Sequence, residues 1–274
     1  MTRAVQMTRR VMFSSGHRYW RPELTEAENR QLFGRWASRY NHGHNYHLEA
    51  TVAGHVDPPT GMVVNIKRID DILDQVIVDA CDGKSLNDEV SFFKSELPTV
   101  ENILRFCREQ IIPALPAEVS LTEIKLEETP NLYGEWHEKT QMTTLTRTYE
   151  FAAAHRLHSN ALSSEVNEEL FGKCNNPSGH GHNYVLEVTV TGQPDPQTGM
   201  LVDLGRLDEV VNAEVVDRYD HKHLNLDLPE FADKPSSSEN IVSEIWSRLD
   251  GKLPAKLQRV RLFETARSVF TIEA

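Results

Sequence analysis

A chain of 274 residues, 39% apolar and 26% charged, has the size and composition of a globular protein with one large or two medium domains. Its 41 acidic against 29 basic residues, a net charge of −12, exclude bulk binding to a nucleic-acid backbone but leave room for a small anionic substrate. No apolar run approaches the ~20 residues of a membrane span, no signal-peptide stretch follows the basic N-terminus, and three cysteines (Cys81, Cys107, Cys174) make no disulfide framework, so a cytoplasmic protein is expected.

In chain order, the first half carries Phe13, His17, Phe33-Gly34, Trp36, His42-Gly-His44-Asn-Tyr46, Asp57-Pro58, Thr60-Gly61-Met62, Asp82, Glu101-Asn102-Ile103 and Glu128-Thr129. All but Trp36 recur later, at an offset of 138 positions from Phe13/Phe151 to Ile103/Ile241, and of 136 at Glu128/Glu264. Repeats this long mark a tandem domain duplication, because solenoid periods are much shorter. The polar stretch Trp136–Met142 is the natural linker, giving domains 1–137 and 143–274. In the second half, Thr144–His155 and Asn183–Thr191 read as strands. The latter sends Tyr184, Leu186, Val188 and Val190 to one face and Glu187, Thr189 and Thr191 to the other. A turn-rich segment, Gly192–Gly199, leads to a short strand at Met200–Val202. Leu204, Leu207, Val210, Val211 and Val215 follow helical spacing, and a second helix starts near Ser236–Glu239 and carries Ile241, Ile245, Trp246 and Leu249. Strands Leu257–Phe263 and Ser268–Ile272 close the domain. The class is α+β: in each half, a mostly antiparallel sheet with two helices on one face.

His180 and His182 share strand parity, about 7 Å apart along the backbone. His155 ends the preceding strand, so antiparallel pairing would bring three imidazoles to one point. Three neutral imidazoles suit Zn²⁺ and leave a fourth position open. A lone histidine is more often a surface or core residue, and His47, His158 and His223 are read that way. The same triple in the first half, His17, His42 and His44, argues for a built site.

Cys174 sits six residues before His180 in a loop with Pro and Gly, where a thiolate could serve as a base. Cys81 and Cys107 read as inert buried thiols. Asp220-His221 offers an imidazole beside a carboxylate, a weak signal alone. Glu239 has a competing explanation: Ser236-Ser-Ser-Glu239 fits a helix capping box. Glu264 near a strand end, with its counterpart Glu128, is either an exposed charge or part of the site.

These residues together resemble the 6-pyruvoyl-tetrahydropterin synthases and their 6-carboxytetrahydropterin synthase relatives. The second half carries every motif: Phe151-Ala-Ala-Ala-His155, Cys174-x5-His180-Gly-His182-Asn-Tyr184, Asp220-His221-Lys222, Ser238-Glu239-Asn240 and Phe263-Glu264-Thr265. The resemblance implies tandem tunnelling-fold domains, each a four-stranded antiparallel sheet with two helices on one face, and active sites at subunit interfaces. It implies Zn²⁺ on His155, His180 and His182, Cys174 as general base with Asp220 and His221 as relay, and Glu264, assisted by Ser238 and Glu239, on the pterin edge. The implied substrate is 7,8-dihydroneopterin triphosphate, and the Cys174-to-His180 spacing favours the pyruvoyl over the carboxy product of the queuosine pathway. The first half departs where chemistry matters: Trp36 replaces the cysteine and Gly83 follows Asp82 in place of His, while His17, His42, His44 and Glu128 remain. That half is expected to bind zinc without catalysing elimination. If the family's rings hold three domains, unlike halves cannot alternate around one, and a trimer with layers of like halves is expected. A non-catalytic, zinc-stabilised pterin- or purine-binding assembly and a GTP cyclohydrolase are the competing functions.

Overall fold

The period-two segments become strands in the computed structural model, which describes residues 3–274, and two compact units result. Unit 1 comprises Met1–Leu145 and Thr191–Asp203. Its strands β1 (Ala4–His17), β2 (His42–His55), β3 (Val119–Thr129) and β4 (Leu132–His137) pair antiparallel in that order. Alternation along β2 buries Tyr46, Leu48, Ala50 and Val52. Helix Val100–Ala114 lies over β3 and β4, started by Thr99, whose hydroxyl accepts the Asn102 N–H. The approach is close because residue 134 is glycine: a Cβ there would lie 2.6 Å from Leu104 Cδ1 and 2.8 Å from Val100 Cγ1.

The expected linker is shorter than Trp136–Met142. Trp136 is buried in β4 under the Arg108 guanidinium, because its strand parity turns it to the helix side, and the turn occupies only 138–141. The expected strand Met200–Val202 does not form. In the segment Thr191–Asp203, the Leu201 N–H that a ladder would use is donated to Glu101 Oε1 at 2.6 Å, inside unit 1. The Thr99 hydroxyl donates to the Gly199 carbonyl at 2.8 Å, and Arg21 donates to that of Gln197. Glu101 is buried there, and loss of solvent raises its carboxyl pKa, opposed by the Leu201 N–H.

Unit 2 comprises Thr146–Val190 and Leu204–Ala274. Its strands β5 (Met142–His155, from Thr146 onward), β6 (His180–Thr191, to Val190), β7 (Lys222–His223), β8 (Lys256–Thr265) and β9 (Ser268–Glu273) form a sheet of order β5-β6-β8-β9, with β7 parallel to the end of β5. Tyr184, Leu186, Val188 and Val190 are buried, and Tyr184 stacks on Phe151 with centroids 5.1 Å apart. Thr189, on the opposite face, is buried too, its hydroxyl 2.8 Å from that of Thr146. Helix Leu204–Val211 is prolonged by a π-helical turn, Asn212–Val216, and a short helical piece, Asp217–Tyr219. Asp74–Val78 repeats that turn in unit 1. Asp220 caps the C-terminal end of this run and so is delivered to the end of β5.

Helix Ser238–Leu249 is not started by a Ser236–Glu239 capping box. The N-cap is Ser237, whose hydroxyl accepts the Asn240 N–H, because the Ser236 hydroxyl is already turned inward to Asn225. Glu239 is thereby left exposed.

Candidate metal centre and active site

The metal constellation begins with strand ends. In unit 1 the β1–β2 register sets His17 opposite His42, and His44 two residues on shares the face of His42. In unit 2 the equivalent strand ends bring together His155, His180 and His182. In each triple one nitrogen per ring lies within 4.8 Å of the others. His155 is fixed by its other ring nitrogen: Nδ1 sits 2.8 Å from the Ser236 carbonyl, so Nδ1–H donates and Nε2 keeps its lone pair for the cluster. His17 repeats this with the Pro98 carbonyl at 2.8 Å. The nitrogens so presented, His155 Nε2 and His182 Nε2 in one unit and His17 Nε2 and His44 Nε2 in the other, are buried and have no hydrogen-bond partner among the described residues. Orphaned buried acceptors are costly unless something fills them, so both donor sets fit a divalent metal.

Burial favours the neutral form of five of these rings. Desolvation lowers the pKa of His17 to about 3 and of His44 to about 4, and lowers those of His42, His155 and His180. Neutral imidazole is the form that binds metal.

Glu264, near the end of β8, joins the cluster in unit 2. Its Oε1 accepts the hydroxyl of buried Ser238 at 2.8 Å and lies 3.7 Å from His155 Nε2 and 3.9 Å from His182 Nε2. Glu128 stands in the same relation to His17, 3.9 Å, and His44, 3.8 Å. Of the three residues expected at a pterin edge, Ser238 and Glu264 are therefore brought together, whereas Glu239 points to solvent.

Cys174 is half-exposed on the short helical turn Gly172–Asn175. The turn is tied to the strand end, with Leu157 N–H donating to the Cys174 carbonyl and Arg156 Nε to Asn175. Trp36 takes this position in unit 1, packed against Tyr19, Phe33 and Leu97 under the Arg35 guanidinium. Asp220 and His221 form a pair of their own: Asp220 Oδ2 lies 2.6 Å from His221 Nδ1, and Oδ1 accepts the Ala152 N–H at 2.8 Å. The Ala152 amide first, then His221, hold the Asp220 carboxyl below its usual range. His221 has φ +56°, a left-handed conformation that is easy for its counterpart Gly83, φ +70°, and strained for histidine. His221 and His182 line one open cleft of about 640 Å³ with Lys222, His223 and Asp227. Among the described residues no hydrogen bond joins the Cys174 thiol to Asp220 or His221. His223, which the sequence presents as structural, has both ring nitrogens buried with no hydrogen-bond partner among the described residues, facing Gly179 in the loop between Cys174 and His180. Its parallel pairing beside β5 is a long-range feature with no local sequence signal.

The family described as 6-pyruvoyl tetrahydropterin synthase matches twice, at residues 6–139 and 144–274. A 6-pyruvoyl tetrahydrobiopterin synthase of Poecilia reticulata is 47% identical over 126 residues, 46% of this chain and 86% of that protein. Its Homo sapiens counterpart is 45% identical over 126 residues, 46% of this chain and 87% of that protein. The solved structure of Caenorhabditis elegans 6-pyruvoyl tetrahydropterin synthase is 40% identical, covers 48% of this chain and 96% of its own, and has a TM-score of 0.47.

Proposed function

The chain belongs to the 6-pyruvoyl tetrahydropterin synthase family, and we propose that its second repeat is a zinc-dependent lyase acting on 7,8-dihydroneopterin triphosphate. The observation that carries this reading is the convergence of His155, His180 and His182 in the one repeat that also presents a half-exposed cysteine thiol. His155, His180 and His182 would hold the zinc, which would supply Lewis-acid polarisation of the substrate's side-chain oxygens and so acidify the protons beside them.

The chain's own groups do the rest. Glu264, oriented by Ser238, accepts the paired N–H groups of the pterin edge. The Cys174 thiolate takes the C–H proton of the hydroxyl-bearing carbon next to the ring, and its electron pair moves into the ring C=N. The nitrogen and carbon of that bond are reprotonated as the hydroxyl becomes a ketone, so the ring is reduced as the side chain is oxidised. Loss of the next carbon's C–H proton then breaks the C–O bond to the triphosphate with its electron pair, and the resulting enol ketonises to complete the pyruvoyl side chain. Asp220 fixes the His221 tautomer with the proton on Nδ1, so Nε2 is the atom that accepts or returns a proton. The thiol and this pair are not hydrogen-bonded to each other, so the relay between them runs through the bound substrate. Free thiols at Cys81, Cys107 and Cys174 support a reducing compartment such as the cytoplasm, and no helix among the described residues is long and apolar enough to cross a membrane. The first repeat, with Trp36 and Gly83 in the place of thiol and imidazole, keeps the metal set but has no base or relay.

The test is mass spectrometry of products from dihydroneopterin triphosphate. Wild type is expected to release triphosphate and form the 6-pyruvoyl product, and Cys174→Ala to lose at least a hundredfold in turnover while retaining its zinc. Equal turnover by the variant would refute the assignment, and a 6-carboxy product would move the enzyme to the other branch.

A further inference from the structure

The two repeats share a loop and a receptor for it, but among the described residues of one chain only one such pair is joined. The loop is the same in both. Asp57 N–H bonds the Met62 carbonyl at 2.8 Å and Gly61 N–H the Asp57 carbonyl at 2.8 Å. In the second repeat Asp195 N–H bonds Met200 at 2.9 Å and Gly199 N–H bonds Asp195 at 2.7 Å. Gly61 and Gly199 have φ of +68° and +70°. The receptor is the same as well. Asn102 Nδ2 donates to the Leu97 carbonyl and Asn240 Nδ2 to that of Pro235, each at 2.8 Å. The preceding Thr99 and Ser237 cap their helices on Asn102 and Asn240.

In unit 1 the loop of the second repeat occupies the receptor of the first. Thr99 holds Gly199, Glu101 holds the Leu201 amide, and Met200 packs on the cluster of Tyr19, Phe33 and Leu97. The complementary halves are left over. Met62, the counterpart of Met200, is 45% exposed. Glu239, the counterpart of buried Glu101, is exposed, and Leu170, the counterpart of Leu32, is 64% exposed. Phe33 is buried where its counterpart Phe171 is half-exposed. A loop and a receptor of the same geometry, each bare, are left to complement one another, with Val63 in the place of Leu201 and Ser237 in the place of Thr99.

We propose that the segment 57–63 of a second copy seats on the helix start at Ser237 and Glu239. Ser237 then donates to the Gly61 carbonyl, Glu239 accepts the Val63 amide, and Met62 packs against Phe171 and Leu170. Trp36 and Met200 pack on the same cluster in unit 1, and Trp36 aligns with Cys174, so this contact brings the partner's Met62 to the side of unit 2 that carries the thiol and supplies a wall there. The contact joins unlike repeats. It is heterologous and closes when chains form a ring, the smallest being two copies that exchange it; it does not build layers of like halves.

Hydrogen exchange on the full chain tests this, with solution mass measured in parallel, and neither readout depends on what the site catalyses. The Leu201 amide is expected to be protected at every protein concentration, because its acceptor lies in the same chain. The Val63 amide is expected to gain protection only as the protein assembles. Glu239→Lys and Met62→Asp, both at exposed positions, should keep Leu201 protected, which shows the fold intact. They should speed Val63 exchange about tenfold or more and lower the solution mass toward the 31.2 kDa of one chain. Val63 exchange that ignores both concentration and Glu239→Lys overturns the proposal. So does a wild-type mass of one chain at micromolar concentration, or an unchanged assembly in both variants.

Discussion

Acid should destabilise the metal-free protein through His17 in a way that can be counted. The ring is fully buried, donates through Nδ1 to the Pro98 carbonyl, and has its pKa lowered by desolvation to about 3. In the unfolded chain it titrates near 6.5. Between those values the unfolded state binds a proton that the folded state refuses, so stability is intact above pH 6.5 and is lost as pH falls. The slope is about 1.4 kcal/mol per pH unit, so His17 alone removes about 2 kcal/mol between pH 6.5 and 5. His17→Asn keeps a side-chain N–H for Pro98 and removes the titration. Urea unfolding of chelator-treated protein, followed by the fluorescence of Trp20, Trp36 and Trp136, should show wild type losing about 2 kcal/mol more than the variant over that range. Parallel pH dependences for the two proteins would refute the reasoning, because they would mean that His17 is protonated in the folded state or accessible to water.

Metal content should follow the two histidine triples: about two zinc ions per wild-type chain, and about one in either His17→Ala or His155→Ala, by elemental analysis after dialysis. A loss of both ions from one variant would show that the sites are not independent. Gly134→Ala should cost about 1–3 kcal/mol in denaturant unfolding, because its Cβ meets Leu104 and Val100 at 2.6 and 2.8 Å. No change would mean that the helix Val100–Ala114 shifts freely. His221→Gly should relieve the left-handed strain, raising stability by up to about 1 kcal/mol, while turnover falls; a variant with full turnover would remove His221 from the relay.

Much of the architecture was local and so was legible. Alternation along Asn183–Val190 named the buried face before the structure did, because a strand's side chains must alternate whatever packs on them. The histidine triples were legible because the residues recur with their spacing, and a repeated pattern carries information that a single His does not. Glu239 shows the opposite case. Its sequence neighbourhood suggested a capping box, but the helix begins one residue later, since Ser236 is claimed by Asn225 from a distant segment. Met200–Val202 has strand-like residues and forms no strand, because Glu101, far away in sequence, takes the Leu201 amide.

The duplication, the period of each element and the identity of the candidate ligands were thus determined by sequence alone, since each depends on neighbours a few residues apart or on comparison of the chain with itself. Only the tertiary structure decided which carboxylate meets the histidines, that His221 is held at positive φ, and that the segment Thr191–Asp203 packs within unit 1. Those outcomes depend on which distant groups compete for the same buried amide, hydroxyl or lone pair, and a one-dimensional pattern does not rank such competitors.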